Sequence, residues 1–378
     1  MLIGIDASNI RAGGGLTHLK ELLSAADPMD YNIRQITVWG GNNTLDYLPE
    51  RIWLNKVYVP DLDKGILSRL LWQRRRLPTL AAATCDLLFV PGGNFSGGYG
   101  PTVVMAQNLL PFDVREQRRF GLSYTRFRLF LLKYGQTASM RRADGLIFLS
   151  EATQRIIWES IGRPPVAKKV IPHGISTRFF REPREQLPLS AFSLKRPFRL
   201  LYVSIVNFYK HQWTVVEAVC RLRKEGIPVA IDLVGPAYPP ALKHLNRAIQ
   251  RFDPAGEAVS YRGPEPYETL SGIYQQADGF VFASSCETIS IITMEAMAAG
   301  LPIACSNVPP MPEVLGDAGV YFDPENVDEI TATLRKMVSD SVLRAEIAQK
   351  AYDRSQQFTW ERCAHETFTF LTSFNSAG

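Results

Sequence analysis

Residues 277–303 read ADGFVFASSCETISIITMEAMAAGLPI, and they leave few folds open to the chain. The apolar run from Ala277 to Ser285 reads as a buried strand. A short helix follows, with Thr288 or Ser290 placed to cap it and Gly300 placed to end it. Pro302 opens the next apolar run. The order is strand, loop, helix, strand, so the helix N-terminus is expected at the carboxyl end of a strand. In open parallel sheets that edge is where ligands bind. Free N–H groups of Ile291 and Ile292 would point outward there and suit a diphosphate.

Two acids bracket this turn. Glu287 falls in the loop, and Glu295 falls two turns into the helix among Met294, Ala296, Met297 and Ala298. A carboxylate in that company is costly without a partner. The paired hydroxyls of a sugar would serve, because a carboxylate accepts two hydrogen bonds at once. A helix with one solvent-facing Glu has the same spacing, and the spacing alone leaves both readings open.

A chain of 378 residues suggests two domains, and 46% apolar with 21% charged residues is ordinary for a globular protein. No uncharged apolar run reaches the length of about 18 residues that a spanning helix needs. The opening MLIGIDAS carries Asp6 early and reads as a first strand, not a signal peptide. Cys85, Cys220, Cys286, Cys305 and Cys363 are scattered, odd in number and without a CxxC pair. That pattern fits a reducing cytoplasm and argues against structural zinc. Charge is uneven: residues 1–189 carry a net of +9 and residues 190–378 a net of −4. Between Lys64 and Arg142 there are 13 basic and 3 acidic residues, so the first half presents a basic surface to anionic partners.

After the first strand, Gly13, Gly14 and Gly15 lead into a helix. Glycines there allow backbone to approach an anion, and a plain tight turn fits equally. Asp61-Leu62-Asp63 could hold a divalent metal, but Pro60 and Gly65 flank it and a surface turn is favoured. Ile66 to Ala83 is helical. The strand Thr102 to Ala106 ends in Gln107-Asn108, and the loops Gly92–Asn94 and Gln107–Asp113 are expected to share a rim with the glycine turn. A long basic helical region runs from Val114 to Arg142. Its aromatics, interleaved with Arg118, Arg119, Arg126, Arg128 and Lys133, suit an interfacial helix on anionic lipid. A core-facing helix with a solvated basic back fits the same stripe. VIPHGI at 170–175 ends this half, and residues 182–197, with three prolines, read as a linker. Strand and helix alternate again from Arg199, as a doubly wound parallel sheet requires.

The pieces GGGLTHL, SEATQRII, VIPHGI, the lysine of YKHQ, LVGP, the Glu-x7-Glu frame with EAMAAGLP, and PEVLGDAGVYFDP occur in this order. Together they resemble the retaining group 1 glycosyltransferases, often called family 4, of the bacterial polysaccharide-biosynthesis type. The resemblance covers nearly the whole chain and is strongest from Leu200 to Pro324. It implies a GT-B fold: α/β, with two Rossmann-like doubly wound domains facing a cleft. The expected bounds are 1–181 for the acceptor-side domain, 182–197 for the linker and 198–359 for the nucleotide-sugar domain. A C-terminal helix over 360–378 is expected to pack back on the first domain.

The resemblance further implies a nucleotide-sugar donor, with GDP-mannose or a relative expected and UDP-sugars open. Lys210 would pair with the diphosphate, Glu287 would hold sugar hydroxyls near the reacting carbon, and Glu295 would bind the ribose. Ser290, Ile291 and Ile292 would add backbone phosphate contacts. Gly14 and Gly15 would approach the donor phosphate or the acceptor, and Gln107 and Asn108 would position the donor sugar or the acceptor. No metal and no cofactor are expected. The expected acceptor is a lipid-linked glycan of the O-antigen kind, met by a cytoplasmic protein peripheral on an anionic membrane; nucleic acid is not an expected partner.

The sequence departs from the family at three places. Ser204-Ile205-Val206-Asn207 stands where a Gly-Arg pair is common, Gln107-Asn108 where His-Asp is common, and Thr288-Ile289-Ser290 where a glycine-rich turn is common. A catalytically silent subunit or membrane adaptor on this fold is the alternative reading. A nucleotide-sugar epimerase is a further one, although acid/base groups for the sugar C2 are not assignable.

Overall fold

The computed structural model describes residues 1–374 except Ala12 and Ala26. It divides into two units, one made of residues 1–174 with the chain from 358 onward, the other of residues 175–357.

The first unit holds strands β1 (Leu2–Asp6), β2 (Gln35–Gly40), β3 (Leu54–Tyr58), β4 (Leu87–Val90), β5 (Thr102–Ala106), β6 (Gly145–Phe148) and β7 (Ala167–Val170). They form one parallel sheet in the order β3-β2-β1-β4-β5-β6-β7. Ile5 of β1 pairs with Val38 on one side and Phe89 on the other. All three are buried, the pattern of a parallel strand covered on both faces. The order reverses between β1 and β4, so the carboxyl ends of those strands form a switch point. The helix Gly14–Ala25 turns Leu19, Leu22 and Leu23 inward and packs on the final helix, Trp360–Thr372. The helix expected over 360–378 ends at Thr372 with Ser373 as its C-cap, and residues 375–378 lie outside the described residues.

Two long helical expectations are each broken in two. Residues 66–83 become Ile66–Arg75 and Leu77–Thr84, because Pro78 cannot continue the amide ladder of the first helix. Residues 114–142 become Val114–Arg118, capped by Asp113, and Tyr124–Arg142, capped by Ser123. Gly121, at φ +56°, makes the break between them. The edge strand of this sheet is Ala167–Val170, and residues 171–174 continue from it as a loop.

The second unit holds β8 (Phe198–Val203), β9 (Val229–Val234), β10 (Val259–Gly263), β11 (Gly279–Phe282), β12 (Ile303–Ser306) and β13 (Val320–Phe322). They form a parallel sheet in the order β10-β9-β8-β11-β12-β13. This repeats the winding of the first six strands, with the switch point now between β8 and β11.

The bounds move from 181 and 359 to 174 and 357. Residues 175–181 belong to the second unit, where Ile175 and Phe179 are buried. Phe179 packs on the rings of Tyr267 and Tyr274 at 5.7 and 5.6 Å, and the Arg181 amide donates to the Ala298 carbonyl at 2.8 Å. The proline-rich stretch at 182–197 is likewise a strap on that unit. The fully buried Arg344 bonds Gln186 Oε1 at 3.1 Å and the Leu187 carbonyl, and Arg184 pairs with Asp278 at 3.6 Å. Among the described residues no helix is long and apolar enough to cross a membrane. The five cysteines are buried and free.

Candidate functional site

The turns after β8 and β11 meet at the second switch point. Behind β8, Asn207 accepts from the Phe208 amide at 2.8 Å and starts a single tight turn, Phe208–Lys210. His211 follows at φ +48° and opens the helix Gln212–Lys224. Behind β11 runs Ala283 to Ser290. Hydrogen bonds stitch the two turns together. Ser285 donates its amide to the Tyr209 carbonyl at 2.9 Å, and Ser285 Oγ meets His211 Nε2 at 2.8 Å. The buried Tyr202 hydroxyl donates to the Lys210 carbonyl and accepts from the Ala283 amide at 3.2 Å.

This stitching aims Lys210 Nζ at Glu287, with which it forms an ion pair; the two side chains are 5% and 16% exposed. Ser284 Oγ donates to the same carboxylate oxygen at 2.6 Å. Lys210 Nζ also stands 4.8 Å from the centre of the Phe282 ring, which supports a cation where water is scarce. Three residues beyond Glu287, Ser290 caps the helix Ile291–Ala298 by accepting from the Thr293 amide at 3.2 Å. The cap is Ser290, not Thr288. The first-turn amides of Ile291 and Ile292 fall outside the reach of the helix's own carbonyls.

Glu295 is not a solvent-facing residue of that helix. It is 2% exposed, and Oε1 and Oε2 lie 3.0 and 3.1 Å from the hydroxyls of Tyr267 and Tyr274. Burial pushes its carboxyl up to about 7, against the opposing pull of the two phenols and of the Arg178 charge. Arg178 itself lies over the Tyr267 ring at 4.6 Å. The expectation that this carboxylate needs a hydroxyl partner is met, but by the protein's own phenols. A carboxylate has about four acceptor positions, so the pair of tyrosines leaves room for a further donor.

Gly14, Gly15, Gln107 and Asn108 belong to the first unit. Gly15 lies in the first turn of its helix, where a Cβ would stand 3.3 Å from Gln107 Oε1, so the glycine turn and the end of β5 do share one rim. Gly14 begins the helix. Asn108 is half-buried, and its side chain accepts from the Leu110 amide at 3.2 Å, shaping the turn after β5. Behind them, Gln73 Nε2 lies 2.6 Å from Asp6 Oδ2, 2.8 Å from Ser8 Oγ and 2.9 Å from the Asn94 carbonyl. Asp6 is fully buried, which raises its carboxyl above the ordinary range.

Asp61 and Asp63 form the surface turn that was favoured. Asp61 pairs with Lys64 at 2.8 Å, and Asp63 accepts from the Asn42 amide at 3.2 Å. Among the described residues no three His, Cys, Asp or Glu side chains converge as a metal site would require.

Tyr267, Tyr274, Arg178, Ser284 and His211 were not singled out in the sequence. The two tyrosines had a legible signal, since a spacing of seven puts them on one face of the helix Tyr267–Gln276. Arg178 and His211 had none, because their partners come from distant segments.

Residues 186–354 match the family described as glycosyl transferases, group 1. O-antigen chain mannosyltransferase B of Escherichia coli is 38% identical over 109 residues, 29% of this chain and 29% of that protein. Serotype-specific mannosyltransferase WbdA of Escherichia coli is 25% identical over 282 residues, 71% of this chain and 33% of that protein. The chain thus spans about a third of the length of these curated relatives. Sucrose-phosphate synthase from Thermosynechococcus elongatus superposes with a TM-score of 0.77 at 16% identity, covering 100% of both chains. Anabaena HepE in complex with UDP superposes with a TM-score of 0.70 at 17% identity, covering 98% of this chain and 99% of that one. At such identity the likeness concerns the fold. The chain has the GT-B fold of two doubly wound parallel sheets, and the likeness to the group 1 glycosyl transferases falls on its residues 186–354.

Proposed function

We propose that the protein is a retaining hexosyltransferase that moves a sugar, mannose or a close relative, from a GDP-activated donor to a lipid-linked or growing polysaccharide acceptor. The observation that carries the reading is the junction behind β8 and β11. There a buried lysine, a carboxylate and a helix N-terminus follow one another at the switch point of a parallel sheet. The mannosyltransferase names of the Escherichia coli relatives support the choice of sugar, and the basic first half supports an anionic acceptor.

In this reading Lys210 leaves Glu287 for the donor diphosphate. With the amides of Ile291 and Ile292 it stabilises the charge that grows as the diphosphate departs. Glu287, released, accepts from the sugar hydroxyls and orients the reacting carbon. Glu295 takes the ribose hydroxyls beside its two tyrosines. The acceptor oxygen attacks the sugar on the face the diphosphate leaves, and a phosphate oxygen takes its proton, so no protein base is required. Gly14, Gly15, Gln107 and Asn108 serve the acceptor or the donor sugar from the first unit. No metal and no cofactor take part, and the protein works on the cytoplasmic side of a membrane as a peripheral protein.

Thermal shift against GDP, UDP, dTDP and ADP, without metal and then with Mg²⁺, tests the donor site, because a ligand bound only by the folded state raises its stability. A shift with GDP that Lys210→Ala abolishes supports the reading. A shift with another nucleotide replaces the donor. No shift with any of the four favours the silent-subunit alternative, which the mutual neutralisation of Lys210 and Glu287 would also fit.

A further inference from the structure

We propose that one face of the first unit, built from the helices Ile66–Arg75 and Tyr124–Arg142, docks on an anionic lipid bilayer. Both helices turn apolar side chains to solvent where a helix of a water-facing surface shows polar ones. Leu67 and Leu71, one turn apart, are 77% and 52% exposed. On the second helix Phe127, Leu131 and Tyr134 are 58%, 53% and 64% exposed and recur at spacings of four and three, one outward stripe. Its inward side is Leu129, Gln136, Ser139 and Met140.

The loop after β4 ties the two helices to one another. Ser96 Oγ donates to the Leu70 carbonyl at 3.3 Å, and Gln73 Nε2 donates to the Asn94 carbonyl at 2.9 Å. From the other side, Ser139 Oγ accepts from the Phe95 amide at 2.8 Å. Burial, and after it the charges of Arg11 and Arg128, lower the pKa of Arg69 from its ordinary value. Arg69 Nε is buried without a partner.

Neither helix carries an Asp or a Glu, while Arg69, Arg74, Arg75, Arg126, Arg128 and Lys133 lie among the apolar side chains. That charge pattern selects the occupant. A second copy of the chain would press arginine on arginine. A nucleic acid would use the arginines but not Leu67, Leu71 and Leu131. An anionic bilayer uses both sets, the headgroups taking the cations and the acyl boundary taking the stripe. The surface deepens the lipid-linked acceptor reading and rests on it for its purpose. Its test involves no nucleotide, so either can fail without the other.

The test is co-sedimentation of the full chain with phosphatidylcholine vesicles, with and without phosphatidylglycerol. The expected result is partition onto the phosphatidylglycerol vesicles that weakens with salt. Leu67→Ser/Phe127→Ser/Leu131→Ser should lower the partition coefficient roughly tenfold or more, and Arg126→Glu/Arg128→Glu should abolish the preference for anionic vesicles. Val342→Ser, an equally exposed apolar site on the second unit, should bind as wild type. All substituted positions except the half-buried Arg126 are exposed, and unchanged urea midpoints would show that the variants fold. Wild type that ignores phosphatidylglycerol, or variants that bind as wild type, would overturn the proposal. So would a wild-type dimer that the triple variant turns into a monomer.

Discussion

Lys210 and Glu287 stand 77 residues apart and meet as an ion pair because β8 and β11 are neighbours at the switch point of the second sheet. Each arrives on its own turn, and the turns are held together by Tyr202, Tyr209, His211 and Ser285. Lys210→Ala should lower kcat/KM about a hundredfold or more, the scale of removing one preorganised donor from a departing charge. The same change leaves Glu287 with Ser284 as a hydrogen-bond donor, and should cost about 1–3 kcal/mol of stability in urea melts, the range for a buried group that loses a partner. A stability loss without loss of turnover would show the pair to be structural.

Glu295 carries a pH dependence of known sign. Its carboxyl ionises near 4.5 in the unfolded chain and is held up to about 7 in the folded one. Between those values the folded state keeps a proton that the unfolded state has lost, so stability falls as pH rises through that window and levels off above it. Glu295→Gln should remove that fall. Comparing urea melts at pH 5 and pH 7.5, the variant should gain on wild type by about 2 kcal/mol toward the higher pH. Parallel stability curves for the two proteins would refute the assignment.

The same ionisation bears on ligand. A ribose hydroxyl donates more strongly to a carboxylate than to a carboxylic acid. Nucleotide affinity should therefore rise as pH increases from 6 to 8, and the rise should vanish in Glu295→Gln. Isothermal titration at the two pH values reads both.

Tyr274 is fully buried and Tyr267 half-buried, although both phenols serve Glu295. Tyr274→Phe should cost about 1–3 kcal/mol, the range for stranding a buried acceptor, and Tyr267→Phe less. Either change should move the ionisation of Glu295 further up, since each phenol favours the carboxylate. A Tyr274→Phe variant as stable as wild type would mean that its bond to Glu295 contributes nothing.

Gly300 ends the helix Ile291–Ala298 at φ +66°, where a Cβ would stand 2.7 Å from the Arg181 carbonyl and 2.8 Å from Pro183. Gly300→Ala meets both backbone strain and a clash with backbone atoms that cannot swing away. It should lose about 2 kcal/mol or more in thermal or urea unfolding. Gly256→Ala, at φ +68° with open space around the site, supplies the strain without the clash and should lose less.

The succession of strands and helices was legible in the chain because it rests on local periodicity and on punctuation by Gly, Pro and Ser. Ser290, Gly300 and Pro302 framed the central turn correctly, and β5 carries the expected bounds. Local patterns also placed Glu287 in the loop and Glu295 in the helix that follows it. They did not show that residues 175–197 lie on the second unit, since that depends on Phe179 and Arg344 finding partners far along the chain. Nor could they supply the partners of Glu295: a spacing of seven places two tyrosines on one face, but the fold decides what that face meets. The helix Tyr124–Arg142 shows the same division. Its sequence determined that Phe127, Leu131 and Tyr134 share a stripe, because 3.6 residues make a turn. Only the packing of Leu129, Ser139 and Met140 against the first unit decided that the stripe looks outward.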